Sequence, residues 1–474
     1  MVTRFWRWSE GGFVPFVPPP PLLRTAREHP ALASSDRLLL LPPLWDHHGH
    51  CLALGASLEE ADLRGVPSLE EALGRVRAAA ASMPEGAWLT GFGWDQNLWG
   101  GAFPPAGVLD EAAGERPVYL RRIDGHAAWA SLEALSRAGL DEKSADPPGG
   151  RLLREGRRLT GVLVDAAMAA VERVLPAPDD AARRRRAVAG LSLLRGYGLQ
   201  GATDMGLTAA DLGALRPLDA EGALPRPLDA FLWEDPRGWR EEWRAAGRSL
   251  RVLGAKVYAD GALGSRGAAL REDYSDDPGN RGLLLHAGGE LDAIFAAARR
   301  QGLSLAVHAI GDAAVEAVLD ALERQPAGLP LRVEHAQVLP EELVARLARS
   351  GAAASVQPCH WLSDRAWAPA RLGPRAAWGY RLGTLAAAGV SLLLGSDFPI
   401  ESPDPRRGLC AGLLREPAER LSFGALLRAF APPPGRVPEG AATLAGEAQP
   451  SDLEEPERLL NWRLVAVDAA GAVP

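Results

Sequence analysis

The chain has 474 residues, enough for about three domain-sized units or for one α/β barrel with additions. Its composition, 47% hydrophobic and 24% charged, is that of a globular protein, and a formal net charge of −8 argues against a nucleic-acid footprint. The three cysteines, Cys51, Cys359 and Cys410, are too few and too irregular for a disulfide framework. No run reaches the roughly 18 apolar residues of a membrane span, and residues 1–12 lack the apolar segment of a secretory leader, so a cytoplasmic protein without a membrane or nucleic-acid partner is expected.

The first forty residues are rich in Trp and Pro, with Pro18 to Pro21 consecutive. Residues 5–8 and 13–17 suit short edge strands broken by proline, and residues 38–41 form a short apolar run. A strand ending near Trp45 comes next. From Ser68 the spacing of Leu69, Ala72, Leu73 and Val76 is helical. Residues 88–165 differ in texture, with Gly91-Phe92-Gly93-Trp94-Asp95 and a Pro147-Pro148-Gly149-Gly150 turn, and read as an insertion. Trp94, Trp99 and Trp129 in it are either its core or an apolar lid that selects bulky substrates.

Strands and helices then alternate. Helices are expected over 180–197, 291–301, 312–324, 341–350 and 382–388. Strands are expected at 201–203, 228–233, 251–258, 304–308, 331–335, 353–357 and 391–395. Their apolar runs lack period-two alternation, as befits strands buried on both faces. With the strand near Trp45 they number eight, which predicts an α/β protein: a (β/α)8 TIM-type barrel. An open doubly wound sheet is disfavoured by the absence of an early G-x-G-x-x-G. The tail ends in a strand-like run at 464–467. The expected organisation is a small β-domain from residues 1–44 and 432–474, a barrel from 45–67 and 178–431, and an insertion at 68–177.

Chemistry-bearing residues fall at the strand ends, the face of a barrel where active sites form. His48-Gly49-His50 follows strand one, Lys256 lies on strand four, His308 ends strand five, His335 ends strand six and Asp397 follows strand eight. Residues i and i+2 of an extended chain point the same way, so His48 and His50 can share one cation. Only Lys143 and Lys256 are lysines; the other fifty cationic residues are Arg. An amine with a lowered pKa can add CO2 to become an anionic carbamate, which a guanidinium cannot. Imidazoles with carboxylate and carbamate oxygens suit zinc or a similar divalent ion. His360, near strand seven, is a candidate for the pocket lining. Cys359 and His360, as neighbours on an extended chain, would point apart and make no nucleophile–base pair. His47 reads as structural.

The motifs together resemble the amidohydrolase superfamily, and within it amidohydrolase family 3, the YtcJ-like branch that includes N-substituted formamide deformylases. The resemblance rests on Asp46-His47-His48-Gly49-His50, on Asp124-Gly125-His126 with Trp129, and on the segment from Lys256 to Arg266. It continues in His308-Ala309-Ile310-Gly311-Asp312, Glu334-His335-Ala336-Gln337, Ser355-Val356-Gln357-Pro358 and Gly395-Ser396-Asp397-Phe398-Pro399. It implies one or two divalent metals, with His48 and His50 on the more buried one and His308 and His335 on the other. A carbamylated Lys256 would bridge them, and Asp397 would be both ligand and general base. The implied reaction is hydrolysis of a C–N bond in an N-substituted amide or formamide by metal-activated hydroxide. His126 would donate to the developing oxyanion, and Trp94, Asp124, His126, Arg266 and His360 would contact a small-molecule substrate.

The tail departs from the family pattern: Ala431-Pro432-Pro433-Pro434-Gly435 replaces a helix start, and only Asp452-Leu453 survives of a strand motif. The small β-domain is therefore expected to be reduced, and a homodimer is left open. Two other readings stand beside the amidohydrolase: a metal-dependent barrel of another reaction type, such as a lactone or ester hydrolase, isomerase or lyase, and an inactive relative kept as a scaffold.

Overall fold

A computed structural model describes residues 4–9, 12–81, 83–84, 86–105, 107–114, 116–123, 127–147, 150–165, 167–286, 289–468 and 472–473. They form two compact units, Met1–Ala53 with Arg183–Pro474, and Leu54–Ala182.

The first unit contains eight parallel strands: β1 (Leu44–Gly49), β2 (Leu199–Leu207), β3 (Leu228–Leu232), β4 (Leu250–Tyr258), β5 (Ser304–Ala309), β6 (Leu331–His335), β7 (Ala353–Val356) and β8 (Leu392–Leu394). They pair in chain order from β1 to β8. Every residue of β1 and β3 is buried, the charged Asp46 and Asp229 included. The ring is nearly closed. Beyond β8, the amide of Asp397 donates to His48 O at 2.7 Å, the amide of His50 donates to Phe398 O at 2.8 Å, and Gly49 bridges Phe398. This is the expected TIM-type barrel.

The helices between the strands follow the apolar periodicity closely. They span Asp180–Gly196, Glu290–Gln301, Asp312–Glu323, Glu341–Ser350 and Leu382–Ala387. In Glu341–Ser350, Leu343, Val344 and Leu347 form the buried stripe, and Gly351 at φ 73 ends the helix in a left-handed conformation that costs glycine little. Helix Ala209–Ala220 begins with a capping box between Thr208 and Asp211.

Strands from both chain ends pair in one five-stranded sheet, in the order Arg463–Val467, Ala442–Gly446, Arg37–Leu41, Arg4–Ser9, Gly12–Pro15. Strand Ala442–Gly446 has little sequence signal, because Thr443 is its one β-branched residue and it has no aromatic side chain. The sheet is tied to the barrel by Gln200, whose side-chain amide donates to Ala442 O and Val467 O, both at 3.0 Å.

The unit Leu54–Ala182 is built on a six-stranded mixed sheet. Helix Leu69–Ala81, expected from its spacing, buries Ala72 and Val76. One core gathers Trp94, Trp129, Leu63, Leu120 and Val162; another holds Tyr119, Leu135, Leu163 and Met168.

Candidate metal centre

The site lies where the barrel closes. β1 runs to Gly49, past its expected end near Trp45, so His48 lies within the strand. Asp46, also on β1, accepts hydrogen bonds from the amide of His48 at 3.0 Å, the amide of Ser396 at 3.2 Å and the hydroxyl of Ser396 at 2.7 Å. It thus fixes the segments that carry His48 and Asp397. Burial raises the Asp46 carboxyl to about 6, against these hydrogen bonds.

Each candidate imidazole is oriented through one ring nitrogen. His48 Nδ1 is 2.6 Å from Oε2 of Glu334, which leaves Nε2 facing Asp397, with Oδ1 at 3.4 Å. Glu334 is fully buried and paired with Arg332 at 2.9 Å. Burial raises its carboxyl, but Arg332 and His48 outweigh this and hold it well below the ordinary range. His335 Nδ1 is 2.8 Å from the amide oxygen of Gln357, so its Nε2 is likewise left free. Such partners fix the tautomer and direction of a ligating imidazole. His308 turns the other way, with Nε2 at 3.3 Å from Gly261 O and 3.5 Å from Asp260 Oδ1. Its ring centroid is 4.5 Å from that of His335. His50 Nε2 lies 3.2 Å from Asp397 Oδ1.

Backbone strain is concentrated here. On a regular strand Glu334 and His335 would face opposite sides, yet both approach His48. Positive φ angles at His335 (71°) and Ala336 (44°) break the alternation, and Asp397 sits at φ 60°. Non-glycine residues in this region cost about 1–3 kcal/mol each and persist only where their surroundings fix them.

One donor atom from each of His48, His335 and Asp397 lies within 4.8 Å of the others. Two imidazole nitrogens and a carboxylate oxygen are a donor set suited to a divalent cation. The electrostatics agree. Burial and the Lys256 charge lower the pKa of His48, but Asp397 and Glu334 more than offset them and raise it, which favours the protonated imidazole. A divalent cation bound among these groups would take the place of that proton. Burial also pushes His308 down to about 3, and His335 well below its usual value, keeping both neutral as metal ligands require.

Lys256 is 2% exposed, with its Nζ 4.9 Å from the ring centroid of Tyr258. Burial lowers its pKa despite the nearby Glu334 and Asp397. Its charge opposes protonation of His48, His308 and His335. His360 stacks on His335, with ring centroids 5.9 Å apart, and its Nε2 is 3.8 Å from Asp397 Oδ2. The pair Cys359-His360 lies on helix Pro358–Asp364, a correction to the extended geometry expected for it. His47 is buried, with Nε2 2.9 Å from Ala431 O.

Two expected substrate contacts are engaged by other residues of the protein. Trp94 is fully buried in the core of the unit Leu54–Ala182, and its indole donates to Leu120 O at 2.8 Å. No face of its ring is open to a ligand. Arg266 makes a two-pronged pair with Asp276 at 3.1 and 3.0 Å, which fixes the loop after β4. Asp124 and His126 lie outside the described residues. Sequence reasoning missed Asp46, Arg332 and Asp204; the last accepts from the amides of Cys51 at 2.6 Å and Gly206 at 3.1 Å. Their signal is a charge within an otherwise apolar strand, which only a partner across the barrel explains.

The amidohydrolase family model matches residues 38–442. YtcJ of Bacillus subtilis (strain 168) is 31% identical over 394 residues, covering 81% of this chain and 74% of that protein. The N-substituted formamide deformylase of Arthrobacter pascens is 25% identical over 463 residues, covering 86% and 82%. The crystal structure of an uncharacterized metal-dependent hydrolase from Pyrococcus furiosus superposes with a TM-score of 0.72 at 29% identity, over 91% of this chain and 92% of the other. The chain belongs to the amidohydrolase family of metal-dependent hydrolases.

Proposed function

We propose that this protein hydrolyses the C–N bond of an N-substituted amide or formamide, using one or two divalent cations, most simply zinc. The observation that carries this reading is the pair of buried clamps, Glu334 on His48 and Gln357 on His335, which leave both Nε2 atoms free beside the Asp397 carboxylate. His48 and His50 would hold one cation with Asp397, and His308 and His335 a second, with Lys256 bridging as its carbamate. Burial favours the neutral amine of Lys256, the form that adds CO2. A bound divalent ion supplies Lewis acidity, bringing the pKa of water toward neutrality and polarising a carbonyl.

Asp397 does the proton work. Burial opposes its charge, but His48 and His50 hold its carboxyl well below the ordinary range, so it is anionic, the form a general base needs. As the water oxygen bonds to the carbonyl carbon, its proton passes to Asp397; as the C–N bond breaks, that proton passes to the departing amine. His360, facing Oδ2 of Asp397, would contact substrate beside this carboxylate. The amide or formamide assignment is supported by the likeness to the Arthrobacter pascens deformylase.

Elemental analysis of protein purified without chelator, followed by a panel of formamides, N-acyl amines, esters and lactones, tests the proposal. One or two divalent ions per chain and turnover of the C–N substrates, lost in Asp397→Asn, are expected. Turnover confined to esters or lactones would replace the reading with an ester hydrolase; protein without metal or turnover would leave a scaffold.

A further inference from the structure

The C-terminal rim carries a cleft that borders the proposed metal centre at Lys256. Trp233, which directly follows β3, lines it with Pro236, Val257, Tyr258, Leu285 and Ile294, around a volume of about 340 Å3. This is at the small end of ligand pockets, which span about 300–1,000 Å3. Trp233 is 62% exposed and Leu285 47%. Large apolar side chains left open together mark a place for a ligand. The acids in the lining are already engaged: Glu234 accepts from the amide of Ala209 at 3.0 Å, and Asp235 pairs with Arg237 at 2.6 Å. The two other polar groups of the lining are Lys256, which belongs to the proposed centre, and His286, whose Nδ1 lies 3.3 Å from Glu290; the rest of the lining is apolar.

Its position makes it part of the active site. Tyr258 is a shared wall. Trp233 meets its ring edge-on, with centroids 5.8 Å apart, and the same ring is 5.2 Å from the His308 ring and 4.9 Å from Lys256 Nζ. A group in the cleft therefore lies beside the candidate ligands, with Lys256 lining both.

We propose that the cleft is the subsite for an apolar arm of the substrate, a short alkyl chain or a single ring on the amide nitrogen, and that Trp233 sets the preference for it. The inference rests on the C–N hydrolase reading above. The test is kcat/KM for N-methyl-, N-butyl- and N-hexylformamide with metal-loaded wild-type protein, Trp233→Ala and Trp233→Phe. In the wild type, the hexyl substrate should exceed the methyl one by at least about tenfold. In Trp233→Ala that ratio should fall by about five- to tenfold, and Trp233→Phe should restore most of it. A wild-type ratio near one, or an unchanged ratio in Trp233→Ala, overturns the subsite. If the wild type turns over none of the three, the C–N reading has failed separately, and calorimetric titration with N-hexylformamide decides the cleft. Binding that Trp233→Ala weakens about tenfold supports it; no binding, or equal binding by both proteins, overturns it.

Discussion

Two places in this molecule bury large side chains completely, with opposite physics. In the unit Leu54–Ala182, Trp94 and Trp129 pack edge to face with centroids 6.4 Å apart. The polar tip of Trp94 is satisfied by one carbonyl, and the stabilisation is apolar burial. At the barrel rim, His48, Lys256, Glu334 and Asp397 are also buried, but each is tolerable only because the others compensate its charge. The first arrangement depends on shape and fails by leaving a cavity. The second depends on charge balance and geometry, and fails by leaving a group unpaired.

The contrast is broken most severely at Asp397. Asp397→Asn should lower kcat/KM by about 10²–10⁴-fold while circular dichroism and thermal melting stay near wild type. Trp94→Ala should do the reverse, destabilising the protein by about 3–5 kcal/mol in denaturant titration, with metal content per folded molecule retained. Glu334→Gln removes the charged clamp on His48 and should weaken cation affinity by about 10–100-fold, measured by competition with a chromophoric chelator. The same assay across pH sharpens the charge argument. The pKa of His48 is raised, so it must release a proton to bind a cation, and affinity should fall as pH drops below that raised value. The smallest effect belongs to neither region. Thr208→Ala removes a helix cap and should cost about 1 kcal/mol of stability without changing cation affinity.

The barrel was legible because its strands are buried on both faces and its helices carry apolar stripes, patterns local enough to read from neighbouring residues. Helix Glu341–Ser350 matches its expected limits for that reason. The residues of the candidate centre were legible as motifs at strand ends, and the structure brings His48, His50, Lys256, His308, His335, His360 and Asp397 into one neighbourhood. What holds them there was not legible. Asp46 joins segments 350 residues apart, and Glu334 reaches a histidine 286 residues away. No local pattern encodes such pairs. Nor did periodicity separate core from contact surface: Trp94 was expected at the substrate but is a packing residue, whereas Trp233, read only as a strand end, stands open beside the site.

The closure between β1 and the segment after β8 gives the candidate centre a mechanical meaning. A cation gripped by His48 from one side of that join and by Asp397 from the other would act as a clasp, holding the first and last staves of the cylinder together. Loading would then be felt along the whole join, and the amides of His50 and Asp397 should exchange their hydrogens more slowly once the clasp is fastened.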